Sequence, residues 1–217
     1  MTSHLRIAQV GQGQFRHRFG GSSWAVVGLE VIPIPAALLL TLDLSDPSLG
    51  FAFPHIGNEL PLVSYINIDV PPEVQTYRVA SSSKQVEYVE PTIGEYNVLP
   101  SEVCLPVPLP EKPLDFRTAN SREVPADEES YWSAVDSFVG GEGFIRIGGE
   151  PLWLQNRERP VDFDGVPMQH VACIGYERYD QPSGIVSPDI PFFIGEMALY
   201  FFVSKARPVV TVLLQST

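Results

Sequence analysis

Arg146-Ile147-Gly148-Gly149-Glu150-Pro151-Leu152-Trp153-Leu154-Gln155 is the stretch on which the reading of this chain turns. A strand end runs into adjacent glycines, which permit a positive-φ turn and a close backbone approach. Pro151 stiffens the exit, Trp153 supplies a core-filling ring, and the Gln155 amide is placed to tie down turn backbone. Each feature has a structural explanation, so Gly148, Gly149, Pro151, Trp153 and Gln155 are read as a structural motif.

Working outward, residues 126 to 139 form the one convincing helix. Pro125 precedes it, and Asp127, Glu128 and Glu129 sit at the positive end of its dipole. Tyr131, Val135 and Phe138 recur at helical spacing with Trp132 and Val139 beside them, giving one apolar face, and Gly140-Gly141 ends the helix. Beyond the motif, 157 to 165 is polar loop. Strands are expected at 168–176, 197–203 and 209–214, with a turn-rich loop over 181–191.

In the first half, residues 1 to 20 are polar and carry the basic run Arg16-His17-Arg18. An apolar strand is expected over 25–32. A second over 36–44, nearly all apolar and flanked by prolines, reads as buried on both faces. Further strands are expected at 51–53 and 60–70, the latter with Tyr65, Asn67 and Asp69 on a wet face. A hairpin across Ser81-Ser82-Ser83 joins 76–80 to 85–89. The proline-spaced run 99–113 reads as an extended edge strand or connector.

The halves match in order. Phe19-Gly20-Gly21-Ser22-Ser23-Trp24 parallels Ile147 to Trp153, with the glycines 128 apart (148 minus 20). The expected fold is mainly β (α+β). One unit spans 1–217, with two β-rich lobes, about 15–90 and 126–217, related by an internal pseudo-repeat and joined by a proline-rich connector over 99–125.

Gly148 to Gln155 resembles the Gly-Gly-x-Pro-x-Trp-(Ile/Leu)-Gln signature of the YwqG-like family, and the order leading to Met197–Val203 is similar to that family's C-terminal half. The programmed cell death two proteins carry a related pattern. The resemblance covers 126–217 well, 15–70 weakly, and 71–115 not at all. The first half departs from the signature: Ser22-Ser23 stand where a proline is usual, and no glutamine follows Trp24. The resemblance implies a mostly β, two-lobed fold and no established chemistry. Its bacterial members look like protein-binding or toxin-neutralising proteins, and its eukaryotic relatives act as chaperone-like binders.

Composition fits a folded chain: of 217 residues 44% are hydrophobic and 11% aromatic, and the 21 prolines and 17 glycines favour turns and short strands. The net charge of -12 disfavours nucleic acid and anionic membrane as partners and suits a basic protein, although solubility alone also explains it. Cys104 and Cys173 are expected as buried free thiols. The start shows no signal-peptide pattern and the apolar run 35–42 is too short to cross a bilayer, so a cytoplasmic protein is expected.

Catalytic patterns are hard to find. His4, His17, His55 and His170 lack partners at ligand spacing. A calcium loop beginning at Asp162 would need an acid where Cys173 stands. The Gly-x-Gly runs lack the third glycine of a dinucleotide fingerprint, and no Gly-x-Ser-x-Gly occurs. No catalytic residue, cofactor or metal is therefore expected. Tyr176, Glu177, Tyr179, Asp180 and Asp189 are the candidate partner-binding residues, as aromatics among charges favour interfaces. The leading expectation is a non-enzymatic protein-binding module, in its sharpest form a bacterial immunity protein on a basic toxin. The rivals are a hydrolase or small-ligand binder using a cleft between lobes, and a structural or chaperone-like component.

Overall fold

The structure, a computed structural model, describes residues 5–28, 32, 34–68, 72–91, 97–101, 104–158, 160–162, 164–178, 184–186 and 192–216. The first half supplies β1 (Arg6–Val10), β2 (His17–Phe19), β3 (Ala25–Val27), β4 (Ala37–Asp43), β5 (Glu59–Ser64), β6 (Val74–Ala80) and β7 (Gln85–Pro91). Then come β8 (Lys112–Thr118), helix α1 (Glu128–Phe138), β9 (Ile145–Ile147), β10 (Gln169–Ile174), β11 (Met197–Val203) and β12 (Val209–Ser216). The protein is mostly β, with one α-helix among the described residues.

All twelve strands join one sheet in the order β3-β7-β6-β12-β11-β10-β9-β1-β8-β2-β4-β5. Among the described residues only β3 on β7 is parallel. The sheet curls until β5 meets β6, and side chains make that last seam. The Tyr77 hydroxyl on β6 accepts from Val63 N and donates to Pro61 O, both at 3.1 Å. Gln75 accepts from Tyr65 N at 3.3 Å and from the Tyr88 hydroxyl at 3.1 Å, and donates to Ser64 Oγ at 3.1 Å.

Inside the curl, Phe19, Leu40, Leu42, Leu60, Leu62, Ile147, Ile174, Phe201, Val210 and Val212 form one core from both halves. A second cluster lies on the other face of β10–β12. There Val135 and Phe138 of α1 pack with Trp153, Cys173, Tyr200 and Phe202. Strands β4 and β11 are buried along nearly their whole length, as their unbroken apolar runs lead one to expect. No helix among the described residues is long and apolar enough to cross a membrane.

The two glycine pairs share local geometry. Gly20 N donates to Leu39 O at 2.9 Å and Gly148 N to Val171 O at 2.8 Å. All four glycines have positive φ. Leu39 and Val171 each sit at a β-bulge, in β4 and β10 respectively. The pseudo-repeat stands as a proposal that these paired features support. Strands of the two halves lie in one sheet, where β1–β8 and β6–β12 join them by continuous ladders.

Other expectations change. The polar run 1–20 contains β1 and β2, both interior to the sheet. The proline-spaced segment, read as edge strand or connector, leads into β8, which lies between β1 and β2, with Pro113 near its start. Residues 51–53 are not a strand. Strand β3 ends at Val27, and residues 29–31 of the expected run lie outside the described set. Tyr65 and Asn67, expected on a wet face, are buried: β5 stops at Ser64, and the Asn67 amide then pairs with both backbone groups of Leu105, at 2.9 Å each.

Candidate functional site

Strand β9 delivers the glycine pair, and a Cβ on Gly149 would lie 3.1 Å from that of Leu5. Trp153 then stacks on Tyr200 and Phe202, at centroid distances of 4.9 and 6.0 Å. The Tyr200 hydroxyl donates to Leu152 O at 2.8 Å. The turn after Trp153 is held by Gln215 of β12 and not by the Gln155 amide. Gln215 accepts from Leu154 N and Gln155 N at 3.0 Å and donates to Asn156 O at 2.7 Å. The exposed Gln155 side chain reaches Ser216 Oγ instead, at 3.0 Å.

Beside the motif lies Arg146, 1% exposed, paired across the ladder with Cys173. Its guanidinium donates to Glu123 O at 2.5 Å and sits 5.8 Å from the Phe138 ring. Nη1 has no hydrogen-bond partner among the described residues, and burial lowers the pKa of the group. The Glu123 carboxylate is occupied by Arg117, at 2.7 and 2.5 Å, and by Asn120 N at 2.8 Å. Burial works to raise that carboxyl, and these bonds overcome it and hold it low.

His170 and Cys173, read as having no partners at useful spacing, touch. The His170 Nε2 to Cys173 Sγ distance is 3.2 Å, and Nδ1 lies 3.1 Å from Gly149 O. A carbonyl only accepts, so Nδ1 carries the proton and Nε2 accepts from the thiol. Residues three apart on a regular strand face opposite ways, but the bulge at Val171 restores them to one side. Burial pushes the imidazole down to about 4 and the thiol up to about 12. The pair is therefore neutral thiol and neutral imidazole, and a thiolate nucleophile is not supported there. Both cysteines are free.

At the seam between β6 and β12, Val74, Thr76, Pro160, Val161, Asp162, Val209 and Thr211 line an open groove of about 180 Å³. That is below the roughly 300 Å³ at which small-molecule sites begin. Ser204, donating at 2.7 Å, leads the interactions that hold the Asp162 carboxyl low.

The surface of α1 is different in kind. Asp127 caps the helix through a reciprocal capping box with Ser130. Ala134, Val135 and Phe138 face inward. Trp132, expected on that apolar face, is 60% exposed, because it lies one 100° step beyond Tyr131 and so turns outward. Its ring meets that of Tyr131 edge-on at 5.8 Å. Glu128, Glu129 and Asp136 are all exposed on the same helix. From residue 123 to 145 the chain has six acids and no Lys or Arg.

Of the five candidates read from sequence, Tyr176 is half-buried, edge-on to Phe193 at 5.7 Å and packed over Gly140. Glu177 is not on the surface: it is 2% exposed and accepts from Phe192 N at 2.7 Å. Tyr179, Asp180 and Asp189 lie outside the described residues. The exposed aromatic that was missed is Trp132, and acids three and four residues before it and four after it were the available signal. Comparison of the chain with protein-family models, curated proteins and solved structures yields no match.

Proposed function

We propose that this chain is a non-enzymatic module that binds another protein, and that its partner is basic. One observation carries the reading: a tryptophan standing out from a helix whose surface bears carboxylates and no basic group. Exposed tryptophans flanked by charges make interface anchors, because the ring buries 150–250 Å² and the charges steer the approach. The net charge of -12 extends that steering to the whole molecule.

In its sharpest form the module is a cytoplasmic immunity protein seated on a basic toxin. The resemblance of Gly148 to Gln155 to the YwqG-like signature favours this form, since bacterial proteins of that kind look like toxin neutralisers. The rival reading, a hydrolase or small-ligand binder, has the seam groove as its most specific support, with Asp162 as the acid in it.

A tagged pull-down from the native host, washed at low and at high salt, tests the proposal. A single basic protein recovered in equal amount and loosened by salt is the expected result. Recovery of the tagged chain alone sinks the binding reading, and small-molecule screening against the groove then becomes the next step.

A further inference from the structure

We infer that the Trp132 face of α1 receives a basic helical segment whose cationic side chains recur once per turn, an inference that rests on the protein-binding reading above. Glu128, Trp132 and Asp136 are spaced four residues apart. At 1.5 Å rise per residue they form a row about 12 Å long, with Trp132 midway and neighbours about 6 Å apart. At 100° per residue Glu128 and Asp136 lie about 40° to either side of Trp132, and Glu129 about 60°. Glu128 and Asp136 thus flank Trp132 along the row, and Glu129 lies on the same side of it as Asp136, away from the buried Val135 and Phe138.

Helix stability does not account for the row. Glu128 and Glu129 suit the first turn, where the dipole favours acids. Asp136 sits in the last turn, where the dipole disfavours it, and that turn has no basic residue to offset it. Trp132 likewise leaves most of a large apolar ring in water. A bound partner resolves both features. Its central cation would lie over the indole, and its flanking cations would meet Glu128 and Asp136.

A helical occupant fits best because it satisfies its own backbone. An extended segment laid on α1 would leave peptide groups unpaired in the contact, since a helix face offers no ladder. A partner helix with Arg or Lys at i, i+4 and i+8 matches the row in length and period.

The test uses the full chain and three synthetic peptides of equal charge. One is an amphipathic helix former with arginines at i, i+4 and i+8. The second has the same composition with the arginines distributed around the helix. The third has arginines at every second residue, with prolines to keep it extended. Trp24 and Trp153 are buried, so the solvent-exposed part of the emission belongs to Trp132.

The expected result is that the first peptide binds at least about 10-fold more tightly than the other two, a difference of about 1.4 kcal/mol. Binding shifts the indole emission, and the shift disappears in Trp132→Phe. Affinity falls about 10-fold or more in Trp132→Ala and in the double variant Glu128→Gln/Asp136→Asn. Equal binding of all three peptides, preference for the extended one, no binding by any, or binding with unchanged Trp132 emission would overturn the inference. A native partner captured equally by the parent chain and by Trp132→Ala would overturn this site while leaving the binding reading intact. No partner for either chain would remove the reading itself. Circular dichroism of each variant confirms the fold.

Discussion

The Cys173 thiol donates to His170 Nε2 across 3.2 Å while His170 Nδ1 donates to the Gly149 carbonyl across 3.1 Å. One imidazole thereby links the bulged strand to the second glycine of the turn. The thiol bond requires the neutral ring, since protonation would place a second N–H against the thiol proton, whereas the Nδ1 bond to Gly149 favours the protonated ring and burial outweighs it.

Acid should therefore weaken the fold before the carboxylates titrate. Burial lowers the folded-state pKa of His170 to about 4. Burial also lowers that of His17, against the upward pull of Asp46, Asp43 and Asp115. A depressed histidine pKa means that the unfolded chain binds the extra proton more readily. The contribution is complete above pH ~6.5 and is lost as pH falls toward 4. His170 is half-buried, so solvent screening leaves its share of the loss at about 2 kcal/mol. Glu123 and Asp43, whose pKa values are lowered, act in a separate window below about pH 4.5, as acid falls through their folded values. Urea unfolding of the parent and His170→Asn at pH 7, 5.5 and 4.5 separates the two. The variant should show a smaller loss across this range, and parallel losses would count against the assignment.

Gln215 should matter far more than Gln155. Gln215→Leu leaves Gln155 N and Asn156 O without their partner and removes one of two acceptors from Leu154 N. Part-buried backbone groups left without these partners cost about 1–2 kcal/mol together. Gln155→Ala loses one exposed contact to Ser216 and should stay within about 0.5 kcal/mol of the parent. Denaturant midpoints at neutral pH decide it, and a larger loss for Gln155→Ala would restore the role first assigned to that residue.

Tyr77→Phe tests how the sheet closes. The hydroxyl is fully buried and serves both Val63 N and Pro61 O. Removing it should cost about 1–3 kcal/mol. Amide exchange of Val63 should accelerate more than that of Leu40, which lies on β4, away from the seam. Uniform acceleration would mean that the seam is not a separate weak point.

Legibility followed the range of the forces involved. Strands β4, β11 and β12, the 74–91 hairpin and α1 are encoded by local period and punctuation, and their boundaries were readable within a few residues. Strands β1, β2 and β8 are short or polar, and their strand character comes from ladder partners as much as about 110 residues distant, as in the pairing of Arg6 with Thr118. The meeting of His170 and Cys173 depends on a bulge, which no period of two can reveal. Gln215 acts on a turn some 60 residues earlier, so the motif could be seen while the side chain that holds it could not. Trp132 was placed on the wrong face because an aromatic inside a helix reads as core. The neighbouring acids argued otherwise, and only the observed rotation of α1 decides between them.

Asp136 offers a test of the helix surface that needs no partner in hand. It lies in the last turn of α1, where the partial negative charge of the free carbonyls opposes it, and no basic residue there relieves the repulsion. Asp136→Asn keeps the shape and nearly the same helix propensity while removing the charge. It should raise stability by about 0.3–0.5 kcal/mol at low ionic strength, with the gain fading as salt screens the dipole. Asp127→Asn, at the opposite end, should destabilise: the Asp127 carboxyl is held low chiefly by bonds to Ser130, and the variant weakens a charge-assisted cap. Thermal unfolding of both variants at 20 and 500 mM salt gives the comparison. Opposite signs that converge at high salt would mean that Asp136 is kept at a cost to the helix, which a role in partner binding explains. A destabilising Asp136→Asn would show that the residue supports the helix by another route, and the argument from its placement would fail.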